Sequence, residues 1–368
     1  MPDIDAITGT VLSLAFAIGA VFGFVGSKTR FCTLGAIADV VHMGDWDRMR
    51  MWMLAIAVAI AGTTALQLGG LFDASKTIYT GSRLVWLSHL VGGAAFGAGM
   101  TLASGCGART LIRIGGGNLK SVVVFAFFAI SALMTLRGVF AVGRTRFLDA
   151  AAISLPHGQD LAAFLASAGL APTTALILAA AALATPLLIA ALCRRGAWSP
   201  DILLGGVVIG GLVVAGWYVT GHLGHLAEHP DSLEEAFLAT NSNRAESLTF
   251  VAPLAYTLDL LMLWSDSSRV TTFGIASVLG VVAGAALHAT LGGTFRIESF
   301  RDASDLARHI AGAMLMGFGG VTALGCTIGQ GISGLSTLAT GSMLTTAAII
   351  LGAVGTMKLQ YRLATDAA

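Results

Sequence analysis

Apolar stretches of about 20 residues recur along the whole chain, and a helix of that length is what crosses the hydrocarbon core of a bilayer. Only 11% of the 368 residues are charged, against about 25% in a typical soluble domain. So few charges cannot cover the surface of a soluble fold of this size. The sequence therefore predicts an all-α integral membrane protein with about nine or ten transmembrane helices. We place them near residues 6–26, 49–72, 84–103, 120–142, 162–192, 200–220, 246–264, 270–290, 307–324 and 341–360.

The charges exclude one class of partner and leave the orientation open. The net charge is +1, so nothing in the sequence favours binding to nucleic acid. Residues 1–5 include no basic side chain, so we expect the first apolar stretch to be retained as a span and not cleaved as a signal peptide. Lysine and arginine are spread almost evenly over alternate connections of the predicted spans, so the positive-inside rule does not settle the orientation.

Four connections are rich in Gly, Ser and Thr yet otherwise nearly apolar, namely residues 26–45, 104–118, 291–305 and 325–340. Each is long enough for a short helix. Non-helical backbone at membrane depth is tolerated only where protein or a water-filled cavity surrounds it. We therefore predict about four short re-entrant half-helices in addition to the spans.

An internal repeat links two of these connections. The shared residues His89, Gly92, Gly97, Gly99, Gly105 and Cys106 recur 220 positions later as His309, Gly312, Gly317, Gly319, Gly325 and Cys326. Residues 19–32 also resemble residues 280–297, with a small insertion. We therefore predict a single membrane domain, 1–368, that is internally duplicated, with a first half of residues 1–195 and a second half of residues 196–368. Whether the halves are parallel or inverted stays open at this stage.

Three of the four cysteines lie where a predicted half-helix begins. Cys32, Cys106 and Cys326 each occupy such a position, whereas residues 293–298, which we match with the Cys32 region, contain no cysteine. Cys193 ends a span beside Arg194, and we interpret it as an ordinary small apolar residue. None of the four forms a CxxC pair, so we expect no disulfide framework and no metal site.

The chemistry of these positions favours a small anion with a soft sulfur end. A thiol is a weak donor and a polarisable partner, and the N-terminus of a helix attracts negative charge. Arg30 and Arg109 add positive charge nearby. The alternative is that each cysteine is merely buried packing, a common role for free cysteine.

Other polar residues leave alternatives open. Asp259 lies inside an apolar stretch, and an intramembrane acid is a functional hypothesis by default; proton coupling through it is one guess. His89 and His309 begin repeat-equivalent spans, which favours interfacial packing. The histidines and acids of residues 221–245 favour a solvated loop over a metal site.

These motifs resemble the YeeE/YedE-type sulfur transporters, the thiosulfate permeases. The resemblance rests on Arg30-Phe31-Cys32, on Gly105-Cys106, on the ten residues from Gly325 to Gly334 and on Phe295–Asp302, and it covers nearly the whole chain. It implies an hourglass-like, multi-pass protein of the bacterial inner (plasma) membrane. It also implies that thiosulfate, or a similar small sulfur-containing anion, passes three cysteines at the waist through S–H···S contacts without a stable covalent intermediate.

The resemblance also assigns residues and partners. We expect Cys106 to be the central thiol, with Cys326 near it and Cys32 further along the path. Glycines at the breaks would let the backbone approach the anion, and other side chains would bind it; the full predicted set is Cys32, Cys106, Cys326, Gly105, Gly107, Gly325, Arg30, Arg109, Gln330 and Ser333. Some relatives work with a separate small cytoplasmic sulfur-carrier protein, and we expect no cofactor.

Two rival functions remain. A membrane thiol oxidoreductase or sulfurtransferase would pass a persulfide between thiols, which requires a reactive thiolate and usually a resolving cysteine. A structural membrane protein would tolerate alanine at all three cysteines.

Overall fold

Helices make up most of the computed structural model, which describes residues 4–193, 199–230 and 232–366. In chain order they are α1 (Ile4–Lys28), α2 (Thr33–Met43), α3 (Asp47–Leu68), α4 (Trp86–Leu102), α5 (Gly107–Gly115), α6 (Leu119–Leu136), α7 (Val139–Gly143), α8 (Leu161–Ser167), α9 (Pro172–Leu192), α10 (Pro200–Tyr218), α11 (Ala252–Met262), α12 (Phe273–Leu291), α13 (Ala303–Thr322) and α14 (Thr340–Asp366). Short 3-10 or π-helical turns cover Ala74–Lys76, Arg144–Leu148, Val219–Leu223 and Gly329–Gly334.

Two small antiparallel ribbons tie connections together. Strand β1 (Arg83–Leu84) pairs with β2 (Ile153–Ser154), and β3 (His225–Leu226) pairs with β4 (Ala236–Phe237). Because β1 directly precedes α4, and α10 with its π-helical extension directly precedes β3, these ribbons lie in the connections outside the long helices. The ribbons hold these loops together, and the helices form the core of the protein.

Within the described residues, eight helical segments are long and apolar enough to cross a membrane, which confirms an all-α integral membrane protein. They are α1 with α2, α3, α4 with α5, α6, α9, α10 with its extension to Leu223, α12 and α14. Helix α13 has 20 residues, a spanning length, but Asp305 and Arg308 lower its hydropathy.

Two of the predicted spans have other boundaries. The stretch 246–264 forms only the 11-residue helix α11, which is too short to cross, because its helix begins at Ala252 and Pro253. The stretch 162–192 is not one tilted helix. Gly169, with a φ of 102°, separates α8 from α9, and Pro172 begins α9.

Glycines let the helix backbones touch. A Cβ atom added at Gly19 of α1 would lie 2.2 Å from the Ser277 carbonyl oxygen, and one at Gly23 would lie 2.1 Å from that of Val281. From α12, a Cβ at Gly284 would lie 1.9 Å from the Ala20 carbonyl oxygen. Helices in a membrane gain little from hydrophobic burial against one another, so close packing at small residues holds them together. The order of these contacts shows that α1 and α12 run parallel.

Helices α4 and α13 make the matching contacts in the antiparallel sense. A Cβ at Gly92 would lie 2.8 Å from the Gly319 carbonyl oxygen, and a Cβ at Gly312 would lie 2.6 Å from that of Gly99. Gly92 and Gly312 are repeat equivalents, as are Gly99 and Gly319. Replacing both residues of the Gly92–Gly319 contact by their repeat equivalents gives the Gly312–Gly99 contact. A two-fold axis between α4 and α13 produces such a pair of contacts.

The same exchange extends through the bundle. Helix α6 packs on α13, and α14 packs on α4 in the equivalent way. Helix α1 packs along α12, and α10 packs along α3. Helix α2 packs on α3, and α11 packs on α12. We therefore propose an inverted duplication in which α10–α14 correspond to α1–α6. The predicted boundary between the halves, at residues 195 and 196, lies outside the described residues. In the proposed correspondence α7–α9 connect the two repeated units.

This correspondence changes one predicted pairing. Residues 19–32 and 280–297 lie largely in α1 and α12, which run parallel. The proposed two-fold axis relates helices that run in opposite directions, as α4 and α13 do. It therefore does not relate residues 19–32 to residues 280–297. Helices α2 and α11 each have 11 residues, and Cys32 and Val251 are their N-cap residues. Under the proposed duplication, the counterpart of Cys32 is Val251 and not a residue of 293–298.

Short helical segments lie in three of the four connections for which re-entrant half-helices were predicted. Residues 26–45 contain α2, 104–118 contain α5, and 325–340 contain the Gly329–Gly334 turn. Residues 292–302 form no helix; Glu298 instead bridges to Asn118. The depth of these segments in a bilayer stays a prediction.

The glycine contacts predict the effect of a single methyl group. Gly19→Ala should lower the free energy of unfolding by about 1–3 kcal/mol, because the added Cβ overlaps the backbone of α12. Gly9→Ala, in the same helix, is the control: nothing lies within 4 Å of its Cβ position. Thermal unfolding in detergent measures both. Equal unfolding temperatures for the two variants would contradict the packing described for α1 and α12.

Candidate functional site

Each of the three predicted site cysteines follows the same backbone joint. A helix ends, the residue two before the cysteine adopts a left-handed conformation, and a backbone N–H bonds back five residues to close the helix, as in a Schellman motif. The left-handed residues are Arg30 (φ 55°), Ser104 (φ 58°) and Leu324 (φ 60°). The closing bonds are Phe31 N to Gly26 O at 3.0 Å, Gly105 N to Met100 O at 2.9 Å and Gly325 N to Gly320 O at 2.8 Å.

The joint places each cysteine at the start of the next helical segment or a few residues before it. Cys32 is the N-cap of α2, and its Sγ accepts a hydrogen bond from Gly35 N at 3.3 Å. Cys326 Sγ accepts one from Gly329 N at 3.4 Å. Cys106 is the N-cap of α5, and its thiol lies near the backbone N–H of Arg109 and the hydroxyl of Thr327.

Three of the four cysteines lie near one another. Cys32 and Cys326 are both within electrostatic range of Cys106. Cys106 and Cys326 are buried, and Cys32 is half-buried. Cys193 is exposed at the end of α9.

Two cavities lie at opposite ends of the bundle, because the end of α6 lines one and its start lines the other. The first, about 180 Å³, includes Leu136, Leu324 and Gly325 in its wall and so ends beside Cys326. The second, about 420 Å³, includes Ser121 and Ser104 and so ends beside Cys106. The repeat-equivalent joints thus each close one cavity, an arrangement that agrees with the hourglass shape implied by the resemblance.

The larger cavity contains a cation that the sequence analysis did not select. Arg113 lines it, donates from Nη1 to the Ser104 carbonyl oxygen at 2.9 Å, and lies within electrostatic range of Arg109, Cys32 and Cys106. Arg113 lies four residues after Arg109 on α5, which places both on one face of the helix. This spacing could have identified Arg113 from the sequence. Arg109 itself is half-buried and packs over Gly105, whose Cβ position lies 3.1 Å from Arg109 Cγ.

Arg48 is a further cation near Cys32 that the sequence analysis did not select. Its guanidinium pairs with Asp39, lies over Gly35 and is within electrostatic range of Cys32. The Asp39–Arg48 pair joins α2 to α3, so this cation comes from the next helix. Arg30 is exposed at the joint, and its contact with an anion stays a prediction.

The smaller cavity has both signs of charge in its wall. Arg144 lines it and pairs with Asp149 at 3.4 Å. The Glu246 carboxylate accepts hydrogen bonds from Asn241 N at 3.1 Å and from Ser242 N at 3.0 Å. Burial raises the pKa of the Glu246 carboxyl, and these hydrogen bonds oppose that rise. The acid is thus engaged by its own loop.

Gln330 and Ser333 use their polar atoms inside the protein. Gln330 Nε2 donates to the Ala323 carbonyl oxygen at 2.6 Å, and its Oε1 accepts from Ser342 Oγ at 2.5 Å. Ser333 Oγ donates to the Leu248 carbonyl oxygen at 2.6 Å. In this structure both side chains therefore hold the Gly329–Gly334 turn in place. Contact of either one with an anion stays a prediction.

The remaining predicted residues have packing roles that the structure makes visible. A Cβ at Gly107 would lie 2.8 Å from the Phe250 carbonyl oxygen, and a Cβ at Gly325 would lie 3.0 Å from Gln330 Cγ. Asp259 pairs with Arg269 at 3.2 Å. This ion pair explains the presence of the Asp259 carboxylate without proton coupling. Proton coupling through Asp259 stays a hypothesis.

Comparison with known proteins gives a consistent result over nearly the whole chain. The model of a family described as "Sulphur transport" matches residues 28–355. A protein of Escherichia coli (strain K12) named "Thiosulfate transporter TsuA" is 29% identical over 321 residues, which cover 85% of this chain and 84% of that protein. A protein of the same name from Spirochaeta thermophila is 25% identical over 340 residues, which cover 91% and 94%.

The bonds of Gln330 predict a loss of stability when its amide is removed. Gln330→Leu leaves the Ala323 carbonyl and the Ser342 hydroxyl without this partner, at a cost of about 1–3 kcal/mol for each group left unpaired in a buried site. Thermal unfolding in detergent should show a clear decrease, whereas Gln360→Leu, at a half-buried position late in α14, should show little. Unchanged stability of Gln330→Leu with weakened anion binding would instead assign Gln330 to the ligand.

Proposed function

Because the chain belongs to the sulphur transport family, we propose that it is a membrane transporter that takes up thiosulfate, or a similar small sulfur-containing anion, past Cys32, Cys106 and Cys326. The observation that carries the proposal is the placement of a cysteine after each of three similar helix joints, with Cys32 and Cys326 both near Cys106 and a cavity beside each of the two buried cysteines. The names of the two relatives support the choice of thiosulfate.

The chemistry of the anion suits these groups. Thiosulfate carries a soft terminal sulfur and harder oxygens. A thiol S–H is a weak donor that is well matched to the polarisable sulfur. In the proposed path the terminal sulfur passes from thiol to thiol, no covalent bond forms or breaks, and the anion leaves unchanged.

The charges suggest an orientation for this path. At the end of the bundle with the larger cavity lie Lys28, Arg30, Arg48, Arg50, Arg109, Arg113, Lys120, Arg296, Arg301, Arg308, Lys358 and Arg362; at the other end lie Lys76, Arg83, Arg137, Arg144, Arg146, Arg244 and Arg269. The positive-inside rule then puts the larger cavity in the cytoplasm. The anion would enter beside Cys326 and leave beside Cys32. A separate small sulfur-carrier protein, if one is used, would meet it there, and the host membrane would be the bacterial inner membrane.

Removing the central thiols should abolish most uptake. Cys106→Ala and Cys326→Ala should each reduce the rate of radiolabelled thiosulfate uptake into proteoliposomes at least about tenfold, equivalent to about 1.4 kcal/mol of lost stabilisation along the path. Cys193→Ala, at the exposed cysteine outside the path, is the matched control and should transport normally. Normal uptake by both Cys106→Ala and Cys326→Ala would end the proposal of a thiol path.

A competition series identifies the anion. Unlabelled thiosulfate, sulfate, sulfite and selenite are added in turn to the same vesicles. The proposal requires that thiosulfate compete best, because sulfate, sulfite and selenite lack its terminal sulfur atom.

The sulfurtransferase alternative predicts a different observable. A persulfide or disulfide on Cys106 or Cys326 would have to form in every turnover, and mass spectrometry of protein quenched during transport would detect it. Unmodified thiols at full transport rate support the non-covalent path.

A further inference from the structure

We propose that Thr327 determines which sulfur anions pass, by donating a hydrogen bond from its hydroxyl to an oxygen of the anion while the cysteine thiols contact the sulfur. This inference rests on the proposed function and adds a residue that recognises the other end of the substrate. Thr327 directly follows Cys326, and its hydroxyl lies beside the Cys106 thiol, so it stands between the two buried cysteines.

The hydroxyl of Thr327 is buried and, within the described residues, has no hydrogen bond to an oxygen or a nitrogen. Its polar neighbour is the Cys106 thiol, a weak hydrogen-bonding partner. The residue is only 2% exposed. Leaving a buried hydroxyl without a strong hydrogen bond costs free energy. A hydroxyl that forms its hydrogen bond only when substrate is bound accounts for this arrangement. Later in the same segment Ser333, Ser336 and Thr337 all donate to backbone carbonyls. Thr33, which directly follows Cys32, is buried and unpaired like Thr327, but Thr327 is the one that also contacts the Cys106 thiol.

The joint before Cys326 explains why Thr327 lacks the usual acceptor. A helical threonine commonly donates to the carbonyl four residues earlier, as Thr110 does to the Cys106 carbonyl at 3.0 Å. For Thr327 that carbonyl belongs to Ala323, but the helix breaks between the two residues, at Leu324 (φ 60°) and Gly325 (φ 158°). The Thr327 hydroxyl therefore does not make this bond.

The two halves differ at this position. The repeat equivalent of Thr327 is Gly107, and a Cβ there would lie 2.8 Å from the Phe250 carbonyl oxygen. The first half therefore has no room for a side chain where the second half has a hydroxyl. A single donor on one side of the cysteine pair orients a two-ended anion, with its oxygens toward Thr327 and its sulfur toward the thiols.

The hydroxyl supplies what the thiols lack. A hydroxyl hydrogen bond to a charged oxygen is short and stronger than a neutral one, whereas a thiol is a weak donor to oxygen. Together the two kinds of group select an oxyanion that also has a terminal sulfur. Sulfur species without oxygen would satisfy only the thiols.

The test compares Thr327→Val, which keeps the shape but removes the hydroxyl, with Thr327→Ser, which keeps the hydroxyl. In proteoliposomes Thr327→Val should raise the KM for radiolabelled thiosulfate at least about tenfold, and Thr327→Ser should stay within about threefold of the wild type. Thermal unfolding without substrate should show Thr327→Val at least as stable as the wild type, because an unpaired buried hydroxyl has been removed. The stabilisation that added thiosulfate gives the wild type should be largely lost in Thr327→Val.

Wild-type KM and wild-type stabilisation by thiosulfate in Thr327→Val would overturn the inference. A raised KM accompanied by a lower unfolding temperature without substrate would also overturn it, since that pattern indicates a structural role. The wild type and Cys106→Ala, assayed in parallel, report on the proposed function separately: transport that fails in the wild type, or survives in Cys106→Ala, counts against the function itself.

Discussion

The close approach of α4 and α13 is the constraint on which the rest of the structure depends. Their backbones touch because Gly92, Gly99, Gly312 and Gly319 present no side chain at the contact. Each of these helices ends in a joint, so their contact fixes where Cys106 and Cys326 lie relative to each other. Any larger residue in this seam would separate the two joints and with them the two buried thiols. In a membrane, where lipid is as apolar as the helices, such packing is the main force available for this purpose.

Breaking a helix beside a buried thiol has a cost that the chain offsets locally. Each joint places a non-glycine residue at a positive φ, which is unfavourable by about 1–2 kcal/mol. The bond that closes the helix, the sulfur caps of Cys32 and Cys326, and the Gln330 bond to Ala323 satisfy backbone groups that the break would leave unpaired. The same bonds decide which polar atoms are left for an anion. Thr327 follows the break, where the usual helical acceptor is not in place, and its hydroxyl is the group that we propose for the oxygens of the anion.

Much of this arrangement was predictable from sequence because it follows from local patterns. Apolar length gave most of the spans, and Gly-Cys in two segments 220 residues apart gave the equivalent joints. What the sequence could not show depends on tertiary contacts. Arg48 comes near Cys32 from another helix, and in the proposed duplication Val251 corresponds to Cys32 without any similarity of residue type. The partners of the Gln330 amide could not be inferred either, because Ala323 and Ser342 meet it only in the folded protein.

The most direct measurement of the central claim is a structure with selenosulfate, in which selenium replaces the terminal sulfur and marks its position by anomalous scattering. The account predicts a selenium peak in contact with Cys106 Sγ, with the oxygens of the anion toward Thr327. A peak confined to either cavity, out of contact with all three cysteines, would contradict it.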